Sequence, residues 1–115
     1  MKANKSIDKA TATLSERVAY LEDQTKVVRF HILDMIHKAN SGHPGGSLSS
    51  ADIMTALHFD FMRTDPQNPR WADRDRVILS KGHACPVLYA CLAMRGYFPL
   101  EELGTLRRFE SILQG

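Results

Sequence analysis

Four residues constrain the fold of this chain more than any others. Val77–Ser80 read VILS, a run rich in branched side chains and apolar at consecutive positions, which is the pattern of a short strand buried on both faces. It is the only convincing strand in the sequence, and one strand cannot be a sheet. Left unpaired in an interior, its backbone N–H and C=O groups would cost about 1–3 kcal/mol each, a total comparable with the stability of a whole domain. The run therefore implies further strands, supplied by residues beyond position 115 of a longer parent protein or by another chain.

Helices surround it. Thr13 and Glu16 are spaced as a capping box, and Leu14, Val18, Leu21, Val28, Ile32 and Met35 then recur at helical steps as far as Asn40. The first half of this helix, with Glu16, Arg17, Glu22, Asp23 and Lys26, reads as solvated, and VVRFHILDMI at 27–36 as more buried; His31 and His37 read as core-edge residues. A second helix is expected from about Ser50 to Met62, carrying Ile53, Leu57 and Phe61, with Ser49 and Asp52 as its capping box, His58 in a structural place and Pro66 forbidding extension past Asp65. TDPQNPRWADRDR at 64–76 reads as a surface loop anchored by Trp71. After the strand comes KGHA, then a helix opened by Pro86 and closed by Gly96, and a last helix from Pro99 to about Phe109, weakened by Gly104. Strand, glycine loop and helix in that order are the layout of an α/β unit.

Composition excludes several classes. The net charge of +2 is a small difference between 15 basic and 13 acidic residues, and DRDR at 73–76 interleaves the signs, which argues against a nucleic-acid surface. No apolar run approaches a membrane span or a signal sequence, so a cytoplasmic protein is expected. Cys85 and Cys91 lie six apart on one helix and point to different faces, which disfavours a mutual disulfide; a buried apolar place fits each better than a redox or catalytic role. The five histidines have no metal-ligand spacing with cysteine or carboxylate, and no metal site is expected.

Two loops carry the chemistry. SGHPGGS at 41–47 surrounds His43 with residues that have almost no side chain to cover it. One reading is a plain connector: Gly42 supplies a left-handed residue after Asn40, Pro44 blocks continuation, and Gly45 and Gly46 make the turn. The other is a ligand loop, since a glycine pair before a helix start lets backbone amides approach an anion. His83, in KGHA, stands at the carboxyl end of the strand, where open α/β sheets place their ligands.

Two histidines in glycine loops, with KANSGHPGGSLSSADI, DPQNP, DRDRVILSKGH and RGYFPLEEL in this order, make the chain from about Val27 to Gly115 similar to the N-terminal part of transketolase, above all to the form whose first domain is a separate polypeptide. The resemblance implies an incomplete α/β thiamine-diphosphate-binding fold, mostly helical in this segment with its one strand at 77–80. Residues 1–26 would be an N-terminal helical extension and 27–115 the first part of the diphosphate-binding domain. It implies transfer of a two-carbon ketol unit between sugar phosphates, in the pentose phosphate pathway, with thiamine diphosphate and magnesium. His43 would be catalytic, hydrogen-bonding the donor substrate; His83 and Gly82 would lie at the cofactor diphosphate; Gly45, Gly46 and Ser47 would offer backbone to the substrate. With the family in hand, the ligand-loop reading displaces the connector.

The departures matter as much. The family holds magnesium with a Gly-Asp-Gly element and a later asparagine, and continues after LQG with a histidine and proline; neither occurs here. The pyrimidine-binding domain and its glutamate are absent too. The expectation is a segment that is inactive alone, needs a C-terminal transketolase subunit or the remainder of the enzyme as partner, and self-associates through its uncovered surface. A non-catalytic interaction module derived from the same helices, and a generic anion-binding module, stand as alternatives.

Overall fold

In the computed structural model, which describes residues 6–115, helix α1 spans Leu14–Ala39. Its start is the capping box read from the sequence: the Glu16 N–H donates to Thr13 Oγ1 at 3.1 Å, and the Thr13 N–H donates to the Glu16 carboxylate. Such a cap stabilises a helix by about 1 kcal/mol. Val28, Ile32 and Met35 form the buried stripe, each fully or almost fully enclosed. The helix runs through positions 26 and 27 without a break and ends at Asn40, which itself takes the left-handed conformation, φ 49°. Residues 1–5 of the expected extension lie outside the described residues.

Helix α2 spans Pro44–Ala56, so it starts six residues before the Ser50 expected from the sequence. Pro44 is its first residue, a position where the fixed φ suits a helix and the missing N–H is not needed. The expected Ser49–Asp52 capping box does not form for the same reason. Those residues are already inside the helix, the Ser49 and Ser50 hydroxyls donate back to the Gly46 carbonyl, and the Asp52 carboxylate pairs with Arg29. The helix passes into a π-helical turn, Leu57–Phe61, closed by the Met62 N–H donating to the Leu57 carbonyl at 2.9 Å. Two ion pairs, Arg17–Asp60 at 2.6 Å and Arg29–Asp52 at 2.9 Å, join α1 to the π-helical turn and to α2, which run antiparallel to it.

The strand expected at 77–80 does not form. Among the described residues there is no strand, and the N–H groups of Val77, Ile78, Leu79 and Ser80 donate to no backbone carbonyl. A strand is defined by its neighbour, and the nearest pairing of separated backbone segments, the Asp75 N–H to the Arg63 carbonyl, stops two residues short. The apolar run is not buried on both faces either: Ile78 is 89% exposed, while Val77 and Leu79 are half-buried.

Helix α3 spans Cys85–Arg95, with Pro86 in its first turn and Gly96 as a left-handed cap, φ 92°. The last expected helix is only a 3-10 turn at Leu100–Thr105, after which the chain turns through Arg107 and Glu110, both at positive φ. The Thr105 hydroxyl, bonded to the Glu102 carbonyl and to Ser111, helps stop it there. Leu103, Leu106 and Leu113 fold this tail onto a core made by Val28, Ile32 and Met35 of α1, Ala51 and Met54 of α2, and Val87, Ala90 and Cys91 of α3. Each buried Val, Leu, Ile or Met side chain there contributes about 1.5–3 kcal/mol. The three helices thus close a core on one another, and leave Leu14, Phe61, Ile53 and Ile78 outside it, each close to two-thirds exposed or more.

Candidate functional site

Helices α2 and α3 pack together, and each begins at a histidine loop. His43 is the N-cap of α2; His83 sits in the 3-10 turn Gly82–Ala84 that leads into α3. The starts of the two helices are stitched by one buried hydrogen bond, in which the Ser47 hydroxyl donates to the Ala84 carbonyl at 3.1 Å. As a result the two imidazoles stand edge to face, with ring centroids 6.1 Å apart at an interplanar angle of 85°. Both are exposed.

Gly46 is where this arrangement is tightest. A Cβ at Gly46 would lie 2.9 Å from His83 Nε2, 3.2 Å from its Cδ2 and 3.5 Å from Lys81 Cε, so a side chain there would collide with the imidazole. Gly45 and Gly82 face open space. Ser47 is fully buried, and its hydroxyl serves the stitch. No side chain caps α2, whose first turn holds no acidic residue. The amides of its first turn and the positive end of its dipole are therefore open to an anion.

One further residue belongs to this surface and was not singled out from the sequence. Lys81 reaches across to α2, its ammonium 3.4 Å from Ser49 Oγ. Its signal was its place two residues before His83, which a reading centred on imidazoles passes over. The structure thus gathers His43, Gly46 and Ser47 with Lys81 and His83. Every side-chain group in the set is a donor, a cation or an imidazole, a chemistry that fits a diphosphate or phosphate ester. It does not fit a divalent cation: among the described residues no cluster of three His, Cys, Asp or Glu side chains could hold a metal ion.

His58 is buried in the π-helical turn with no partner for Nε2, and burial, aided by the nearby Arg95 charge, pulls its pKa down to about 4. Burial pushes the Cys91 thiol up to about 12 and also raises that of Cys85, and both cysteines are free. The described helices include none long and apolar enough to cross a membrane.

Residues 21–115 match the family described as transketolase, thiamine diphosphate binding domain. The chain belongs to the transketolase family, and the matched residues lie in that domain. It is 50% identical over 95 residues to the 6-deoxy-6-sulfo-D-fructose transketolase subunit SqwG of Clostridium sp. (strain MSTE9), covering 83% of this chain and 34% of that one. It is 41% identical over 99 residues to an apulose-4-phosphate transketolase subunit of Phocaeicola vulgatus, 86% of this chain and 35% of the relative. Against transketolase 2 of Escherichia coli the identity is 45% over 95 residues, 82% of this chain and 14% of the relative. The chain therefore spans about a third of the length of the first two relatives and about a seventh of the last.

Proposed function

We propose that this chain supplies the first part of the cofactor site of a transketolase that moves a two-carbon ketol unit between sugar phosphates. The observation that carries the reading is the meeting of His43 and His83, forty residues apart in sequence, with 6.1 Å between ring centroids at the uncapped start of α2. Bound thiamine diphosphate supplies the carbon nucleophile of such a transfer. His83, with Gly82 and the neighbouring Lys81, would hold the diphosphate. His43, on the same rim, donates a hydrogen bond to the oxygens of the donor sugar, where negative charge grows as its carbonyl is attacked. An imidazole there also exchanges protons near neutral pH. Gly45 and Gly46 offer backbone to the substrate, and Ser47 keeps the two loops in register.

In this reading residues 27–115 are the opening of an α/β domain whose strands, magnesium ligands and pyrimidine site belong to a C-terminal transketolase subunit or to further chain, in the cytoplasm. Alone, the 115 residues are inactive. Two relatives are named as transketolase subunits, which supports a partner polypeptide.

Steady-state kinetics of the chain reconstituted with a C-terminal subunit test the assignment. His43→Ala is expected to lower kcat by about 10² at saturating cofactor, because the lost donor acts on a group whose charge changes. His83→Ala is expected to raise the cofactor concentration needed while kcat recovers at saturation. Equal loss of kcat in both variants would overturn the division of roles.

A further inference from the structure

A second concave surface lies between the π-helical turn, the loop at 64–76 and the outer side of α3. It is a cleft of about 260 Å³, slightly below the usual range of small-molecule pockets. Met62, Val77, Leu88 and Leu92 give it an apolar lining, and His58 borders it as well. Arg74, Asp75 and Arg76 also line it.

The two cations outnumber the one carboxylate in that lining. Asp75, between the two arginines, is committed elsewhere: its carboxylate accepts the Arg63 N–H at 2.7 Å and pairs with the Arg63 guanidinium, which keeps it below the usual carboxylate range. Arg74 and Arg76 pair with no carboxylate among the described residues. Arg74 donates only to the Trp71 carbonyl, and Arg76 only to the carbonyls of Arg74 and Ala72. A guanidinium has five N–H donors, so each keeps several free together with its full charge. The backbone bonds also fix the guanidinium planes in advance, which lowers the entropy lost when an oxyanion binds them.

We propose that this cleft binds a small organic anion with an apolar body, the oxyanion held by Arg74 and Arg76 and the body against Met62, Leu88 and Leu92. An inorganic anion leaves the apolar walls wet, and a neutral apolar molecule leaves two cations without a partner, so neither satisfies the site.

The test is a titration of the full chain with phenyl phosphate, inorganic phosphate and benzyl alcohol, followed by amide and side-chain NMR. Phenyl phosphate is expected to give saturable shifts at Met62, Arg74, Arg76, Leu88 and Leu92, with affinity at least tenfold above either of the other two probes. Arg74→Gln and Arg76→Gln should each weaken it about tenfold, the worth of one charge-assisted hydrogen bond, with the rest of the spectrum unchanged. Shifts confined to Gly45, Gly46, Lys81 and His83 would mean that phenyl phosphate reads only the start of α2, and would overturn the proposal. So would affinity unchanged in both arginine variants, or phosphate binding as tightly as its phenyl ester. These readouts do not depend on transketolase activity, so the proposal can fail while the reading of the histidine site stands, and the reverse.

Discussion

Replacing Gly46 by alanine separates the two jobs that this position performs. It is the third residue of α2 and does not adopt the positive φ seen at Gly42 and Gly96, so alanine is compatible with its backbone and gains up to about 1 kcal/mol of helix propensity. The new methyl would lie 2.9 Å from His83 Nε2, whereas ordinary contact begins near 3.4 Å, so the imidazole must retreat by about 0.5 Å. His83 is exposed and the colliding atom is at the far end of its side chain, so a change of torsion costing about 0.5–1.5 kcal/mol accommodates it. The two effects nearly cancel, and Gly46→Ala is expected to shift Tm by no more than about 4 °C either way. The geometry of the site should nevertheless change. Thermal unfolding by circular dichroism, read beside nuclear Overhauser contacts between the His43 and His83 rings, separates stability from position. The expected result is an unchanged melt with altered ring contacts. Unaltered contacts would show that no close approach exists at Gly46, and a loss of stability well above 1 kcal/mol would show that the KGHA turn cannot yield; either refutes the reasoning.

His58 makes stability depend on pH. Its folded pKa of about 4 lies below the ordinary 6.5, so the unfolded chain binds the proton more readily; stability is full above pH 6.5 and falls as pH drops from there toward 4, by an amount on the order of 3 kcal/mol. His58→Phe should flatten that slope in denaturant titrations, and an unchanged slope would show that another group is responsible. Calorimetry of the chain alone with magnesium and thiamine diphosphate is expected to give a Kd weaker than about 10 μM, because the metal that grips a diphosphate finds no ligand set among the described residues; tighter binding would refute this. Ile78, 89% exposed beside backbone without ladder partners, should promote self-association, so Ile78→Lys is expected to lower the apparent mass in light scattering or reduce dye binding, and no change in either would count against it.

The sequence is most legible where a signal is local. The start of α1 is readable because a capping box is a four-residue pattern followed by regular apolar spacing, and the start and end of α3 because Pro86 and Gly96 act on their own backbone. The start of α2 is less so, because proline and two glycines are poor helix formers in general, although the first turn tolerates them. VILS fails for a different reason: an apolar run states a preference, and the neighbour that would make it a strand is not among these residues. The site follows the same rule. Histidines in glycine loops stand out, whereas the Ser47–Ala84 bond, the reach of Lys81 and the cleft at Arg74 and Arg76 depend on residues brought together only by packing.

The bond from Ser47 to the Ala84 carbonyl bears on how such a chain can diverge. The spacing of the two imidazoles follows from one buried contact between helix ends and from the packing of α2 on α3, whereas residues 62–79 of the long connection make no hydrogen bond to either histidine loop. Doubling its length would cost only about 0.6 kcal/mol of closure entropy. Insertions in the exposed turns around Gln67–Arg70 can accumulate without disturbing the rim. A change at Ser47 that removes its hydroxyl, far smaller in mass, would take away the bond to the Ala84 carbonyl and loosen the two halves of the rim.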